Sequence, residues 1–509
     1  FCPVHNLQFT FRWDKPLAQY CSACDKEWIG NNRYDWAWIY EVHMLNRDYM
    51  YQCMYLYLAT GKRQYADYIR TMLLDYAGKY AGWFEHNSGR KATDQHSGKA
   101  FAQSLDEANW ATKVAMAYMA IKPVLSKEEV KAIEEGYLQP AATLLLHRPA
   151  GANWQMWHNS GLAALGIALE NDSIVDVAIN KDKYGYHYLI GKHKNSDGWI
   201  NEGSPHYHYY PLEALLFTAN AVKCRGIKLF DKDLHDMFVE PVKGTYPDLS
   251  FPAHSDGWYG ANLLSQSALY EVGNARYNDP FLKRVLELTY AQKKRLDPEA
   301  LLSNQLIKAS EESLLQKSYS FDTSGFCLLR SDTRTVVLKF GGEGIGHGHP
   351  DKLSITIHDG KNELVSDFGT SGYGVPDYLK WYKRTLSHNT VTVDAKDQKR
   401  SVGKLLKFNP RSDGGYAEAE TTTAYPGVRM KRSLDLKGTH LQDVYTCTSD
   451  SSHLYEYVIL FNEKPLMDGQ PTATTLTGSE VHERIHNIFS YPHKSGFTCR
   501  TSSASVQFD

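Results

Sequence analysis

With 509 residues, 42% of them hydrophobic and 22% charged, the chain is too long for one ordinary core and should form at least two domains. A formal net charge of −2 argues against nucleic acid as a partner, and it gives no general pull on polyanions; an acidic ligand would need a local basic cleft. No apolar run of about 18 residues exists to span a membrane, and Phe1-Cys2-Pro3 begins nothing like a secretory leader.

Residues 1–30 hold two paired spacings, Cys2-x-x-His5 and Cys21-x-x-Cys24. Paired knuckles separated by a short loop have the spacing of a structural zinc ribbon, with one disulfide or free thiols as alternatives. Eight cysteines in a chain of this size do not make a disulfide scaffold.

Residues 31–300 read as helix after helix. Amphipathic runs cover 34–59, 64–80 and 105–121; Ser126, followed by Glu128 and Glu129, opens another helix with a capping-box pattern. Further runs cover 156–169, 175–188, 211–223, 229–242, 258–272 and 280–294. Two polar and aromatic clusters interrupt them. In the first, Asn153, Trp157, His158 and Asn159 crowd the entrance of the 156–169 helix, where amide donors favour an anion. A simple capping role for Asn153 is the alternative. The second, Glu202-Gly-Ser-Pro-His206-Tyr207-His208-Tyr-Tyr210, lies on a constrained loop or first turn before Pro211. The 34 tyrosines and 11 tryptophans suit carbohydrate binding, although packing accounts for most of them.

After Pro298 the period changes from helical to alternating. Segments 326–330, 335–340, 354–357, 391–393, 444–448 and 454–461 read as antiparallel strands, with the domain boundary at 298–320. Residues 341–394 are the richest stretch. His347 and His349 precede one strand, a strand over 363–368 delivers Asp367, and a strand over 389–394 follows His388. If those three strands are neighbours, His349, Asp367 and His388 converge on one metal; imidazole plus carboxylate suits zinc, or less exclusively manganese or iron.

The blocks HGHPDKLSI, VSDFGTSGYG and RTLSHNTVTVD, with EGSPHYH upstream, resemble the heparinase II/III-like polysaccharide lyases and the related alginate lyases. Gly348, Pro350 and Lys352 depart from the family's usual H-A-H-A-D-Q. The resemblance implies an α+β multidomain fold, an incomplete (α/α) toroid over 31–300 followed by an antiparallel β-sandwich over 301–509. It implies catalytic Tyr207 and His347, Asn153 facing a substrate carboxylate, and a structural zinc on His349, Asp367 and His388. It also implies a secreted or periplasmic enzyme acting on an acidic polysaccharide, with glycosaminoglycans favoured over alginate.

These residues suit β-elimination at a uronic acid. Asn153, helped by His158 or Asn159, would neutralise the carboxylate; His347 and Tyr207 would share the base and acid roles. Trp157, His206, His208, Tyr382 and Arg384 complete the expected substrate cleft, and a cation among Arg384, His206 and His208 would be needed for Tyr207 to act as base. Rival readings are a glycoside hydrolase using two of Asp106, Glu107, Asp197 and Glu202, or a non-catalytic glycan binder.

Overall fold

The computed structural model describes residues 7–87, 96–303, 305–312, 317–342, 346–373 and 375–464, with short pieces outside these spans that include Cys2, Val4, His5 and His482. Residues 343–345 and Gly374 of the motif-rich stretch lie outside the described residues. The chain forms two compact units: Phe1–Lys192, Glu213–Asp231 and Pro298–Leu302 make the first, and His193–Leu212, Lys232–Asp297 and Ser303–Asp509 the second. The boundary expected at 298–320 does not coincide with this division, because residues 232–297 group with the strands instead of with the earlier helices.

Among the described residues the first unit is helical apart from a small hairpin, β1 (Gln19–Cys21) and β2 (Lys26–Trp28). Helix α1 (Asn32–Thr60) starts where the Asn31 side chain accepts the Arg33 N–H, and stops at Gly61, whose φ of 66° suits glycine. Helices α2 (Arg63–Ala77) and α3 (Ser104–Ile121) follow, then α4 (Lys127–Ile133). At α4 the predicted capping box forms in full: Ser126 Oγ accepts the Glu129 N–H at 3.2 Å and the Ser126 N–H donates to the Glu129 carboxylate at 2.9 Å. Next come α5 (Gln139–Leu146), α6 (Ala152–Ala168), α7 (Asp172–Asn180) and α8 (Tyr186–His193). Helices α3 and α6 pack on each other and are buried on nearly every side, which is why neither carries a clean polar face.

Three expectations change here. The helix predicted over 175–188 is two, broken at a turn where Gly185 passes so close to Ile179 that a Cβ would lie 2.6 Å from its carbonyl oxygen. Helix α6 starts at Ala152 and not at residue 156, so Asn153 lies inside it and does not cap it; the cap is Gly151. Helix α9 (His206–Val222) begins five residues before Pro211, which therefore lies within it.

In the second unit α10 (Lys232–Val242), α11 (Ser267–Tyr277) and α12 (Pro280–Gln292) accompany an antiparallel sheet. Residues 258–262, predicted helical, form a loop instead: Trp258 bridges to Gly369 and Thr370. Between residues 319 and 457 the strands are β3 (Tyr319–Phe321), β4 (Phe326–Arg330), β5 (Thr335–Lys339), β6 (Ser354–His358), β7 (Glu363–Val365), β8 (Val391–Val393), β9 (Lys404–Arg411), β10 (Gly414–Tyr425), β11 (Val428–Lys437), β12 (His440–Ser449) and β13 (Tyr455–Tyr457), and further short strands follow. The main sheet runs β12-β11-β10-β4-β5-β6-β7, with β3 on β4. Strand β8 pairs with β13 and not with β6 or β7, so the three neighbouring strands expected from sequence are two. Val391 and Val393 nevertheless share one core with Leu329, Val336, Leu338 and Ile355, which sets the start of β8 against the strand β6. Among the described residues no helix is long and apolar enough to cross a membrane.

Candidate active site

Tyr207 occupies the first turn of α9, where its N–H is held by Ser204 Oγ at 3.2 Å. His347 lies in the loop ahead of β6. The two rings stack, with centroids 3.5 Å apart and an interplanar angle of 14°. These are the two residues to which the sequence reading assigns the acid and base roles, and they come together from positions far apart in the chain.

The residue that organises them was not anticipated. Asp256 is fully buried. One of its oxygens, Oδ2, lies 3.0 Å from His347 Nδ1 and accepts the hydroxyls of Tyr373 at 3.1 Å and Tyr378 at 2.9 Å. The other, Oδ1, lies 2.9 Å from His349 Nε2. Lys383 Nζ stands 3.5 Å from Oδ2, and the Asp256 N–H donates to the His347 carbonyl at 3.0 Å. Burial opposes the charge on Asp256, but bonds from His347 and His349 hold its carboxyl well below the usual range.

Local backbone explains how so buried a carboxylate is aimed. Ser255 takes a left-handed φ of 56°, uncommon outside glycine. At Gly369, φ 59°, a Cβ would lie 1.9 Å from the Gly257 carbonyl, so only glycine lets the loop carrying Asp256 meet the loop after Asp367. Thr370 N–H seals that contact by donating to Gly257 at 3.1 Å.

Tyr207 OH is bonded to Tyr373 OH, which also lies 2.9 Å from His347 Nδ1. Burial pushes the Tyr207 phenol up to about 12. None of the expected cations offsets this. Arg384 donates to Asp397 at 2.6 Å, burial lowers His206, and His208 is wholly internal. His208 takes the Ile200 N–H at 3.2 Å and meets the Met237 carbonyl at 2.8 Å, so both ring nitrogens are used within the fold and burial lowers it to about 4. His208 is thus a packing residue and not a substrate contact. Glu202, also buried, places Oε2 3.5 Å from His347 Nε2. His206 stays beside the pair, edge-on to Tyr207 at 4.9 Å, and Tyr382 is partly buried.

The metal candidates also converge. His388 Nδ1 lies 2.9 Å from Asp367 Oδ2, and the His349 and His388 rings are 5.2 Å apart. Ligand atoms of Asp351, Asp367 and His388 lie close enough for one ion. Asp351 is the unexpected member, with His349 beside the group, but its carboxylate already meets Lys339 and lies 3.1 Å from Lys352. His349 Nδ1 and His388 Nε2 are both buried without a hydrogen-bond partner. Two orphaned imidazole nitrogens next to a carboxylate are what a metal would satisfy, so the residues fit one.

The first unit holds the remaining expected residues. Asn153 is buried in the first turn of α6, after Ala152 with φ 48°. Asn159 donates to the Tyr184 carbonyl at 2.7 Å and accepts from Gln155 at 2.9 Å. Trp157 packs against Phe217, and His158 is fully buried, lowered to about 4 by burial. These last three serve the core of the unit, which corrects their expected role in a cleft. Carboxylates wanted by a hydrolase are similarly occupied: Glu107 accepts Tyr80 OH and three backbone N–H groups, and Asp197 accepts both Ser324 donors.

Residues 42–239 match the family model for alginate lyase, and 314–477 that for the heparinase II/III-like C-terminal domain. An alginate lyase of Stenotrophomonas maltophilia is 29% identical over 83% of this chain and 63% of its own length. An exo-oligoalginate lyase of Saccharophagus degradans is 26% identical over 84% and 64%. A heparin-sulfate lyase of Bacteroides stercoris is 26% identical over 47% of this chain and 35% of its own. This chain therefore spans less than two thirds of these relatives. In fold it resembles a heparan sulfate lyase of Pedobacter heparinus, with a TM-score of 0.60 at 18% identity over 87% of this chain and 67% of that one.

Proposed function

We propose that this chain, a member of the heparinase II/III-like and alginate lyase group of polysaccharide lyases, cleaves a uronate-containing polysaccharide by β-elimination. The observation that carries the reading is the stacked Tyr207–His347 pair fixed by a buried carboxylate. Asp256 accepts from His347 Nδ1, which leaves Nε2 as the basic nitrogen and fits His347 as the base that removes the proton beside the uronate carboxylate. Tyr207, neutral far above pH 7, fits the acid that protonates the departing glycosidic oxygen; Tyr373 OH links it to Asp256. Asn153 keeps the role of carboxylate donor that its motif suggests.

His349, Asp367 and His388 would hold a zinc ion, with Asp351 neutralised by its lysines. Such an ion supplies a fixed positive charge and stiffens the loops that carry His347 and Asp256. In this reading the helices form an incomplete (α/α) toroid and the strands a β-sandwich, and the enzyme works outside the cytoplasm, where polysaccharide is found.

Alginate is the better substrate reading, in place of the glycosaminoglycans favoured by sequence. The two relatives matched over 83% and 84% of this chain are an alginate lyase and an exo-oligoalginate lyase, and Lys383, 3.5 Å from Asp256 in a site that also holds Glu202, is poor provision for a sulfated chain. The test is to offer alginate, heparan sulfate, chondroitin sulfate and hyaluronan and follow ultraviolet absorbance of the new double bond. Absorbance with none of them, from folded enzyme, would refute the lyase reading; absorbance with a sulfated glycan alone would refute the substrate.

A further inference from the structure

The first thirty residues are too few to build a core of their own. They nonetheless make an ordered lobe on the start of α1. Phe9 contacts Trp28 and Tyr34 at 6.3 and 5.8 Å between ring centroids, and Phe11 stacks on Trp38 at 5.9 Å. Trp38 Nε1 donates to the Arg12 carbonyl at 3.1 Å. Elsewhere in this lobe four side chains close on one point.

Cys2 Sγ lies 3.8 Å from His5 Nδ1 and 3.9 Å from Cys24 Sγ; Cys21 Sγ lies 3.7 Å from His5 Nδ1. All four candidate ligand atoms fall within 4.8 Å of one another. A tetrahedral zinc with S at about 2.3 Å and N at about 2.0–2.1 Å has S···S edges of about 3.8 Å and S···N edges of about 3.5–3.6 Å. The observed separations match those edges within a few tenths of an ångström. They do not match a disulfide, whose sulfurs are about 2.05 Å apart. Three thiols around one imidazole would also leave an odd cysteine after any pairing.

The backbone supports the same conclusion. The N–H groups of Val4 and His5 point at Cys2 Sγ, and those of Ala23 and Cys24 at Cys21 Sγ. Two loops thus present their amides to a sulfur in the same way, as suits a thiolate that carries negative charge. Cys2 and Cys21 are buried. Cys24 is half-buried and His5 lies at the exposed edge of the group; burying thiolate-poised sulfurs gains little unless something binds them.

We propose that Cys2, His5, Cys21 and Cys24 form a structural zinc site, closed by four protein ligands, that staples the two loops of the N-terminal lobe to each other. With no open position the site does no chemistry on substrate. It is separate from the His349, Asp367 and His388 group, which contains no sulfur.

The experiment uses the full chain. Cobalt is substituted for the bound metal, and thiolate-to-cobalt charge transfer is read in the near ultraviolet, a signal that only a sulfur-containing site produces. The wild type is expected to show it, and Cys24→Ser to lose it together with one equivalent of metal per chain. Cys24→His, which restores a fourth ligand, should keep the metal. Unchanged metal content in Cys24→Ser, or a disulfide between any two of the three cysteines found by mass spectrometry, would overturn the site. Absence of lyase activity would leave this result standing, since the readout is metal and not turnover.

Discussion

Replacing Asp256 by asparagine changes one atom at the centre of the site, and its cost can be worked from the contacts. The carboxylate faces His347 Nδ1, Tyr373 OH and Tyr378 OH on one oxygen and His349 Nε2 on the other. An amide has one acceptor oxygen and one NH2 group, and the NH2 must face donors whichever way it turns. Facing His347, it forces the proton to Nε2 and removes the basic nitrogen; facing His349, it forces a proton onto the Nδ1 that a metal would need. One or two buried donors are left unsatisfied, at roughly 1–3 kcal/mol each, so folding stability should fall by about 2–4 kcal/mol. Turnover should fall by about 10²–10⁴, as when the orienting carboxylate of a catalytic histidine is neutralised, with KM little changed. Initial rates by product absorbance and urea unfolding on the same preparation measure both. A variant within about threefold of wild-type turnover and of unchanged stability would refute the positioning role.

Tyr207→Phe keeps the ring stack and removes only the hydroxyl, so turnover should drop on the order of a hundredfold or more while oligouronate binding persists; a fully active variant would sink the assignment. Acid should destabilise both units. His158 and His208 are lowered from 6.5 to about 4 by burial, so the unfolded chain binds more protons between those values and stability is lost as pH falls through the window. From pH 7 to pH 5 the loss should be about 2 kcal/mol for each of them, read from urea midpoints, and a flat profile would contradict it. His388→Ala should lose one equivalent of metal by elemental analysis while the sulfur-based cobalt signal remains; retention of both would show that His388 is not a ligand.

Much of the fold was legible because it rests on local pattern. Ser126 and Glu129 cap α4 as their spacing predicts, β4 begins and ends at the expected residues, and β8 falls within the strand expected after His388. Failures occurred where distant contacts overrule local preference. Val175 to Tyr188 is continuous in pattern, yet Gly185 must turn to pass Ile179. Pro211 looks like a helix start, but at the sixth position of α9 it gives up only the bond to the Tyr207 carbonyl. The long strands β10 and β11 escaped notice since the core face of β10 is built largely from small residues, Ala417, Ala419 and Ala424, whose alternation is faint.

The site divides along the same line. His347, His349, Asp367, His388 and Tyr207 could be found because each lies in a motif whose neighbours are breakers or strand ends, where a side chain is freed from packing. Trp157, His158, Asn159 and His208 had equally suggestive surroundings, but they lie on helices buried on several sides, so a polar cluster in sequence becomes internal bonding in space. Asp256 is the converse. Its sequence, Ser255-Asp256-Gly257, is an ordinary turn, and its importance arises only when Gly369 allows the two loops to touch and His347 and His349, about 90 residues away, arrive on its two oxygens. A carboxylate shared by the candidate base and a candidate metal ligand ties the placing of His347 to the order of the metal group. A substitution at either histidine should therefore be felt at the other through Asp256, which is why the asparagine variant is the most informative single change.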